Sequence, residues 1–354
     1  MRLGRGKWRA AAALLTVAGV AGLAASASAS TATQWRVSNV WGSAKGRFES
    51  VAATGPASAW AVGSLSNDQS MAAHWNGRAW QTAHIPGASD FDLDQVAASS
   101  ASNVWIFGQG IGVMNAFRFD GSHWHTMALP ALSNPPSLQD SKAVAFGPND
   151  VWIAMWGSCT AHSCSSQVWH WNGTTWTNHP VSAAITGFTG ISDNDLRAVA
   201  TTSGKSVTAY RWNGSHWSGM SIPKSTGLTP SIAMDSDSDV WIDFNHTSCC
   251  SVTALHYNGH GWKTISSQWT NGPAALTLDG HGGVWLGSFF HWTGSSWQRL
   301  QDNLDSGSYS GDYNQMVKVP GTSASYWNVG YALPNQGGVA NIRPLVAVFG
   351  QTPS

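Results

Sequence analysis

Glutamate is nearly missing. The 354-residue chain holds one, Glu49, and its other acidic residues are 17 aspartates. A glycosidase needs two carboxyls at a set separation, one usually with a raised pKa. Only aspartates remain to supply them here, and most stand in turn sequences. Charge of either sign is scarce at 10% of residues. No Gly-x-Ser-x-Gly elbow, His-Glu-x-x-His or phosphate loop occurs. The thirteen histidines are scattered. His74, His170, His256 and His291 fall at or beside one recurring position, and His123 and His216 occupy a variable slot after Gly. Catalysis finds little support, so no catalytic residue and no cofactor are expected.

Long apolar runs are absent after the first thirty residues, and so is helical periodicity. The start is different. Arg2, Arg5, Lys7 and Arg9 precede the apolar stretch Ala10–Ala25, and Ala25-Ser26-Ala27 and Ala27-Ser28-Ala29 both fit small-x-small cleavage. This predicts a signal peptide over residues 1–29 and a secreted domain over 30–354, with a retained anchor as the alternative. Without those four basic residues, 14 Lys and Arg face 18 Asp and Glu, a formal charge near −4. That balance argues against nucleic acid or an anionic surface as partner.

What is plentiful is tryptophan, 22 residues in all. A Trp ends a short strand pattern in Ala59-Trp60, Val104-Trp105, Val151-Trp152, Val240-Trp241, Val284-Trp285 and Tyr326-Trp327, at spacings of 45, 47, 89, 44 and 42 residues. The long gap hides one beat, because Leu196-Arg197 follows Asn194-Asp195 as Val151-Trp152 follows Asn149-Asp150. A second mark, aromatic-x-Gly-x-x-Trp, follows each of the first six beats, as in Trp75-Asn76-Gly77 before Trp80. Seven beats of about 44 residues signify an array of supersecondary units.

Each unit reads as four strands. In the first these are Glu49–Thr54, Ala59–Gly63, Met71–Trp75 and Ala79–Ile85. Short strands bounded by Gly, Pro, Asn, Asp and Ser are an all-β signal, and Asn-Gly between the third and fourth marks a hairpin. Four strands per unit match a β-propeller blade. The seventh unit lacks its fourth strand, while Thr33-Gln34-Trp35-Arg36-Val37 looks like a stray one. The expectation is a seven-bladed propeller closed by the N-terminal strand in the last blade, against an open, capped array. The repeat and Trp35 absorb most tryptophans as packing material; beyond Trp8, only Trp41, Trp156, Trp169 and Trp269 stay unexplained.

Four cysteines fall between second and third strands, Cys159 and Cys164 in unit three and Cys249 and Cys250 in unit five. In an oxidising compartment the expectation is disulfides, with a metal site using His162 and His246 as the alternative. Asp235-Ser236-Asp237-Ser238-Asp239 resembles the start of a calcium loop. It lacks the sixth-position Gly and has His246 where Glu belongs, so it reads as a turn.

The Asp-Val-Trp…Trp-Asn-Gly-x-x-Trp repeat over about residues 33–350 resembles that of secreted bacterial β-propeller proteins, many of unassigned function. It is similar in outline to Asp-box and kelch propellers. Yet Trp75 stands where an Asp-box would have Asp, and the kelch Gly-Gly doublets are missing, so sialidase or oxidase chemistry is not implied. One pattern exceeds packing. Second-to-third loops and blade-to-blade links share one face of a propeller, and Trp41, Trp156, Trp269, Tyr309 and Tyr313, with His162 and His246, map there. Exposed rings on a rigid scaffold suit ligand binding. The resulting expectation is a monomeric, non-catalytic, lectin-like module for carbohydrate or cell-envelope glycan. The alternatives are a glycan hydrolase or lyase and a protein-interaction scaffold.

Overall fold

The computed structural model describes residues 34–130, 137–156, 164–202, 206–245, 252–267, 275–300, 309–334 and 341–354. Ala32–Ser354 forms one compact unit. Among the described residues there is no α-helix, and 28 strands form seven four-stranded antiparallel sheets. Blade 1 is typical, with strands Gly46–Gly55, Ser58–Leu65, Ser70–Trp75 and Trp80–Thr82 in spatial order. The first strand of every blade touches the first strand of the next, and Tyr309–Lys318 of blade 7 touches Gly46–Gly55 of blade 1. The protein is a closed seven-bladed β-propeller, with first strands innermost.

The last blade is assembled from both ends of the chain. Its strands Tyr309–Lys318, Tyr326–Pro334 and Arg343–Phe349 are completed by Trp35–Val40. That outer strand runs antiparallel from Trp35 opposite Phe349 to Val40 opposite Leu345, with a bulge between Val37 and Asn39. Pairing the two ends removes an open edge from the ring.

Local chemistry sets the hairpins. The Asn76 side-chain Oδ1 accepts from the backbone N–H groups of Arg78 and Ala79, both at 3.0 Å, and Gly77 adopts φ 87° between them. Asp120, Asn172, Asn213 and Asn258 repeat the device in the next four blades. The short side chain caps the turn and the glycine tolerates the left-handed backbone, so each third–fourth hairpin is fixed in register.

The core is a circle of inter-blade layers. The second-strand Trp of one blade packs on the third- and fourth-strand aromatics of the next. Ring centroids lie 5.3 Å apart for Trp60 and Trp124, 6.0 Å for Trp105 and Trp176, 5.6 Å for Trp152 and Trp212 and 5.1 Å for Trp327 and Trp80. Trp241 shares a cluster with Trp292 and Trp297, and Trp285 meets Trp35 edge-on at 6.2 Å. Trp169, unexplained by the repeat, is buried in the layer between blades 2 and 3.

Two placements correct the sequence reading. Tyr309 and Tyr313 are not in the link before blade 7 but in its innermost strand, which pairs with Tyr326–Pro334 across a bulge between Tyr313 and Gln315. The Gly and Ser residues that read as a link are accommodated as strand. Tyr313 is half-buried and stacks on Trp35 with centroids 6.5 Å apart.

Trp35 is fully buried, whereas Val37 two residues on is 40% exposed. Trp35→Ala is expected to cost about 3–5 kcal/mol, and Val37→Ala to stay within about 0.5 kcal/mol. Denaturant unfolding of both variants checks this; equal, small effects would contradict closure by this strand.

Candidate functional site

Antiparallel strands place first–second and third–fourth turns at one end of the blades, and second–third loops and inter-blade links at the other. The first end is tight: two residues separate first from second strands in blades 1–5. The other end is uneven: two residues separate Gly110 from Val113, but several connections are long. Ten residues separate Trp156 from Gln167, nine separate Arg299 from Tyr309, and eight separate Ser267 from Leu276.

The sequence candidates distribute unevenly. Trp41 follows the N-terminal strand, half-buried and edge-on to Phe48 at 5.0 Å, and its Nε1 donates to Thr82 Oγ1 at 3.0 Å. Much of it is therefore engaged in packing. Trp156 is the last residue of the second strand of blade 3, opposite Ser137. Cys164 is half-buried ahead of the third strand. Trp269, His162, His246, Cys159, Cys249 and Cys250 lie outside the described residues. Among the described residues, Trp41 and Tyr313 meet different neighbours and form no common cluster. Also among them, no group of three His, Cys, Asp or Glu is placed to hold a metal, and no helix is long and apolar enough to cross a membrane.

At the tight end, the repeat histidines have a shared role. Trp152 and His170 are cross-strand neighbours stacked at 4.0 Å with planes 9° apart. Trp241 with His256 and Trp285 with His291 do the same at 4.0 and 4.4 Å. Asp150 Oδ1 accepts from Trp152 Nε1 and pairs with His170 Nε2, each at 3.0 Å; Asp239 holds Trp241 and His256 at 2.9 and 2.8 Å. Asp279 pairs with His291 at 2.8 Å. Burial alone would raise the Asp279 carboxyl, but His291 and the backbone N–H groups of His281 and Gly283 outweigh it and hold it below the usual range. In blade 1, His74 stacks on Trp60 and burial pulls its pKa down. In blade 2, Arg118 lies over Trp105 at 5.5 Å instead. These imidazoles have the composition of a general base, yet one face is covered by an indole and Nε2 is engaged by carboxylate in three of the four. They are packing elements.

Blade 4 breaks the pattern. Arg197 replaces the Trp and Arg211 replaces the His, so two guanidinium groups are cross-strand neighbours. Arg197 is 2% exposed. It pairs with Asp195 of its own blade and reaches across the interface to Asp237 Oδ1 at 2.7 Å, which Arg211 Nη2 also meets at 3.3 Å. Burial, then Arg211, pulls the Arg197 pKa down, while Asp237 opposes both. Where the other interfaces hold an indole, this one has a cavity of about 520 Å³ lined by Arg197, Arg211, Met220, Asp237, Tyr257 and Trp262 among others. The sequence signal for this convergence is the beat without a tryptophan, Leu196-Arg197, which taken alone marks only a lapse in the repeat. The Asp235–Asp239 run is the turn expected of it. Asp237 serves the arginines and Asp239 serves Trp241 and His256, with Ser236 opposite Asp239 across the hairpin.

No family model matches the chain, and no curated protein does. Solved structures match in shape. YCF48 bound to D1 peptide is similar at a TM-score of 0.60 and 14% identity, over 90% of this chain and 97% of that one. YCF48 from Cyanidioschyzon merolae is similar at 0.60 and 13%, over 89% and 98%. The SapL1 lectin in complex with alpha methyl fucoside is similar at 0.51 and 18%, over 75% and 98%. At these identities the likeness is one of fold.

The Asp–His–Trp stacks yield a structural test. Asp150→Ala leaves the Trp152 N–H without its acceptor and is expected to cost about 1–3 kcal/mol, while Asp150→Asn, which keeps an oxygen acceptor, recovers most of that. Equal stability of wild type and the Ala variant in urea unfolding would show the stack to be dispensable.

Proposed function

We propose that the chain is a secreted, non-catalytic binding module that recognises carbohydrate, with cell-envelope glycan as its setting, through the long-connection end of the propeller. The observation that carries this reading is the asymmetry of the ring. In blades 1–5 one end is closed by two-residue turns and capped hairpins, while the other end mixes short turns with several connections of eight to ten residues. Trp41 and Trp156 border connections at that second end, and this reading assigns Trp269 to the same end from its sequence position between the blade 5 and blade 6 strands. A rigid scaffold with long loops on one side is the usual arrangement for binding. In this reading Cys159–Cys164 and Cys249–Cys250 are disulfides that restrain two of the loops, and the unreduced mature protein weighs four hydrogens less than its reduced form. A mass equal to that of the reduced form would contradict the pairing.

The support from similar proteins is of use rather than of ligand. SapL1 is described as a lectin with a bound fucoside, and YCF48 as bound to a peptide. The YCF48 likeness keeps a protein partner as the second reading. A glycan and polysaccharide panel separates them. Saturable binding without release of reducing sugar, weakened at least tenfold in the Trp41→Ala, Trp269→Ala double variant, is the expected result. Sugar release would make the protein an enzyme, and silence across the panel would favour the peptide-binding reading.

A further inference from the structure

We infer that the space left by the missing tryptophan between blades 4 and 5 is a binding site for a neutral saccharide, at the tight-turn end and so distinct from the long-loop end. This rests on the carbohydrate reading above, but not on which end of the ring carries it.

The first argument is what occupies position 197. At six interfaces the second strand contributes an indole to the layer; here it contributes a guanidinium that is almost fully buried. As packing this is a poor exchange. A buried ion pair adds little stability over an apolar side chain of similar volume, since desolvation offsets the Coulomb attraction. The interface is also fully furnished to hold it, with Asp195 from blade 4 and Asp237 from the blade 5 turn. A lost tryptophan needs no such arrangement.

The second argument is unused capacity. That capacity lies at the exposed groups rather than at Arg197, whose Nε has no acceptor among the described residues but is itself buried. The side chains of Arg211 and Asp237 are 44% and 59% exposed, so a donor fork and an acceptor stand side by side within the cavity. A sugar hydroxyl both donates and accepts, and vicinal hydroxyls match such a pair. Ser218 and Ser221, both exposed, add hydroxyls to the lining.

The third argument is the wall. Tyr257 and Trp262 sit 5.3 Å apart at 46°, both half-buried. Their fourth-strand counterparts in blades 2 and 3, Trp124 and Trp176, meet the second-strand indole of the preceding blade. Trp262 is half-buried like them and packs on the blade 4–5 core, but it lines the cavity where they meet an indole, and that part of its ring can meet the C–H face of a pyranose. Two arginines against two aspartates leave the cavity neutral, so a phosphorylated or uronic sugar would have to displace Asp237. A volume of about 520 Å³ falls within the range of small-ligand pockets.

The test is calorimetric titration of the mature protein with neutral methyl glycosides, methyl α-fucoside among them. Arg211→Gln and Ser218→Trp, the latter a block placed on an exposed outer strand, are expected to weaken binding at least tenfold. Gln81→Trp, the equivalent change in blade 1, leaves it unaltered. Arg197→Trp rebuilds the repeat and is expected to fold, with a melting temperature no lower than wild type, and to bind nothing here. Wild-type affinity and stoichiometry in Arg211→Gln and Ser218→Trp overturn the site. If that binding vanishes in the Trp41→Ala, Trp269→Ala variant, the carbohydrate reading survives at the loop end. If the wild type binds no glycoside or polysaccharide, the carbohydrate reading falls and this site with it. Tighter binding of glucuronate or glucose 6-phosphate than of the neutral glycosides overturns the assigned ligand class.

Discussion

The ring depends on one contact made repeatedly, an indole from the second strand of a blade wedged against the outer aromatics of the next. A four-stranded sheet of three- to eleven-residue strands has little stability alone. Burying rings of 150–250 Å² or so at each junction joins seven such sheets into one core. The wedge explains the secondary features too. In four blades a histidine stacks on the indole from the neighbouring strand, and in blades 3 and 5 an aspartate at the strand start ties both polar edges together. The same layer makes the N-terminal strand indispensable, because Trp35 supplies the outer aromatic of blade 7 that meets Trp285.

The wedge also shows where the molecule departs from pure architecture. At six junctions the layer is sealed by tryptophan, and at one it is opened by Arg197. The long-loop end is a separate departure, set by the lengths of the connections rather than by the core. A binding role for each end rests on different physics. The loop end offers variable reach over a rigid base, whereas the junction offers a pre-formed polar cleft with an aromatic wall.

Much of the fold was legible because its signals are local. Asn-Gly before a fourth-strand Trp dictates a capped hairpin, and the period of that mark counts the blades. Even ring closure was readable, since Thr33–Val37 matched the strand that the seventh unit lacked. What escaped was what depends on neighbours distant in sequence. Tyr313 sits in a Gly- and Ser-rich stretch that resembles a link, but pairing with Tyr326–Pro334 makes it strand and stacks it on Trp35, 278 positions away. Arg197 was visible only as an absence. Its partner Asp237 lies in the next blade and was read as part of an aspartate-rich turn, and nothing local announces that the two converge on Trp262.

The most direct measurement is an indole N–H spectrum of ¹⁵N-tryptophan-labelled mature protein during titration with neutral methyl glycosides. The account predicts that the Trp262 resonance shifts saturably while those of the sealed wedges, Trp105, Trp152 and Trp241, stay in place. Shifts confined to Trp41 and Trp269, with Trp262 unmoved, would contradict the site between blades 4 and 5 and leave binding to the long-loop end alone; no saturable shift at any of the three would contradict the carbohydrate reading itself.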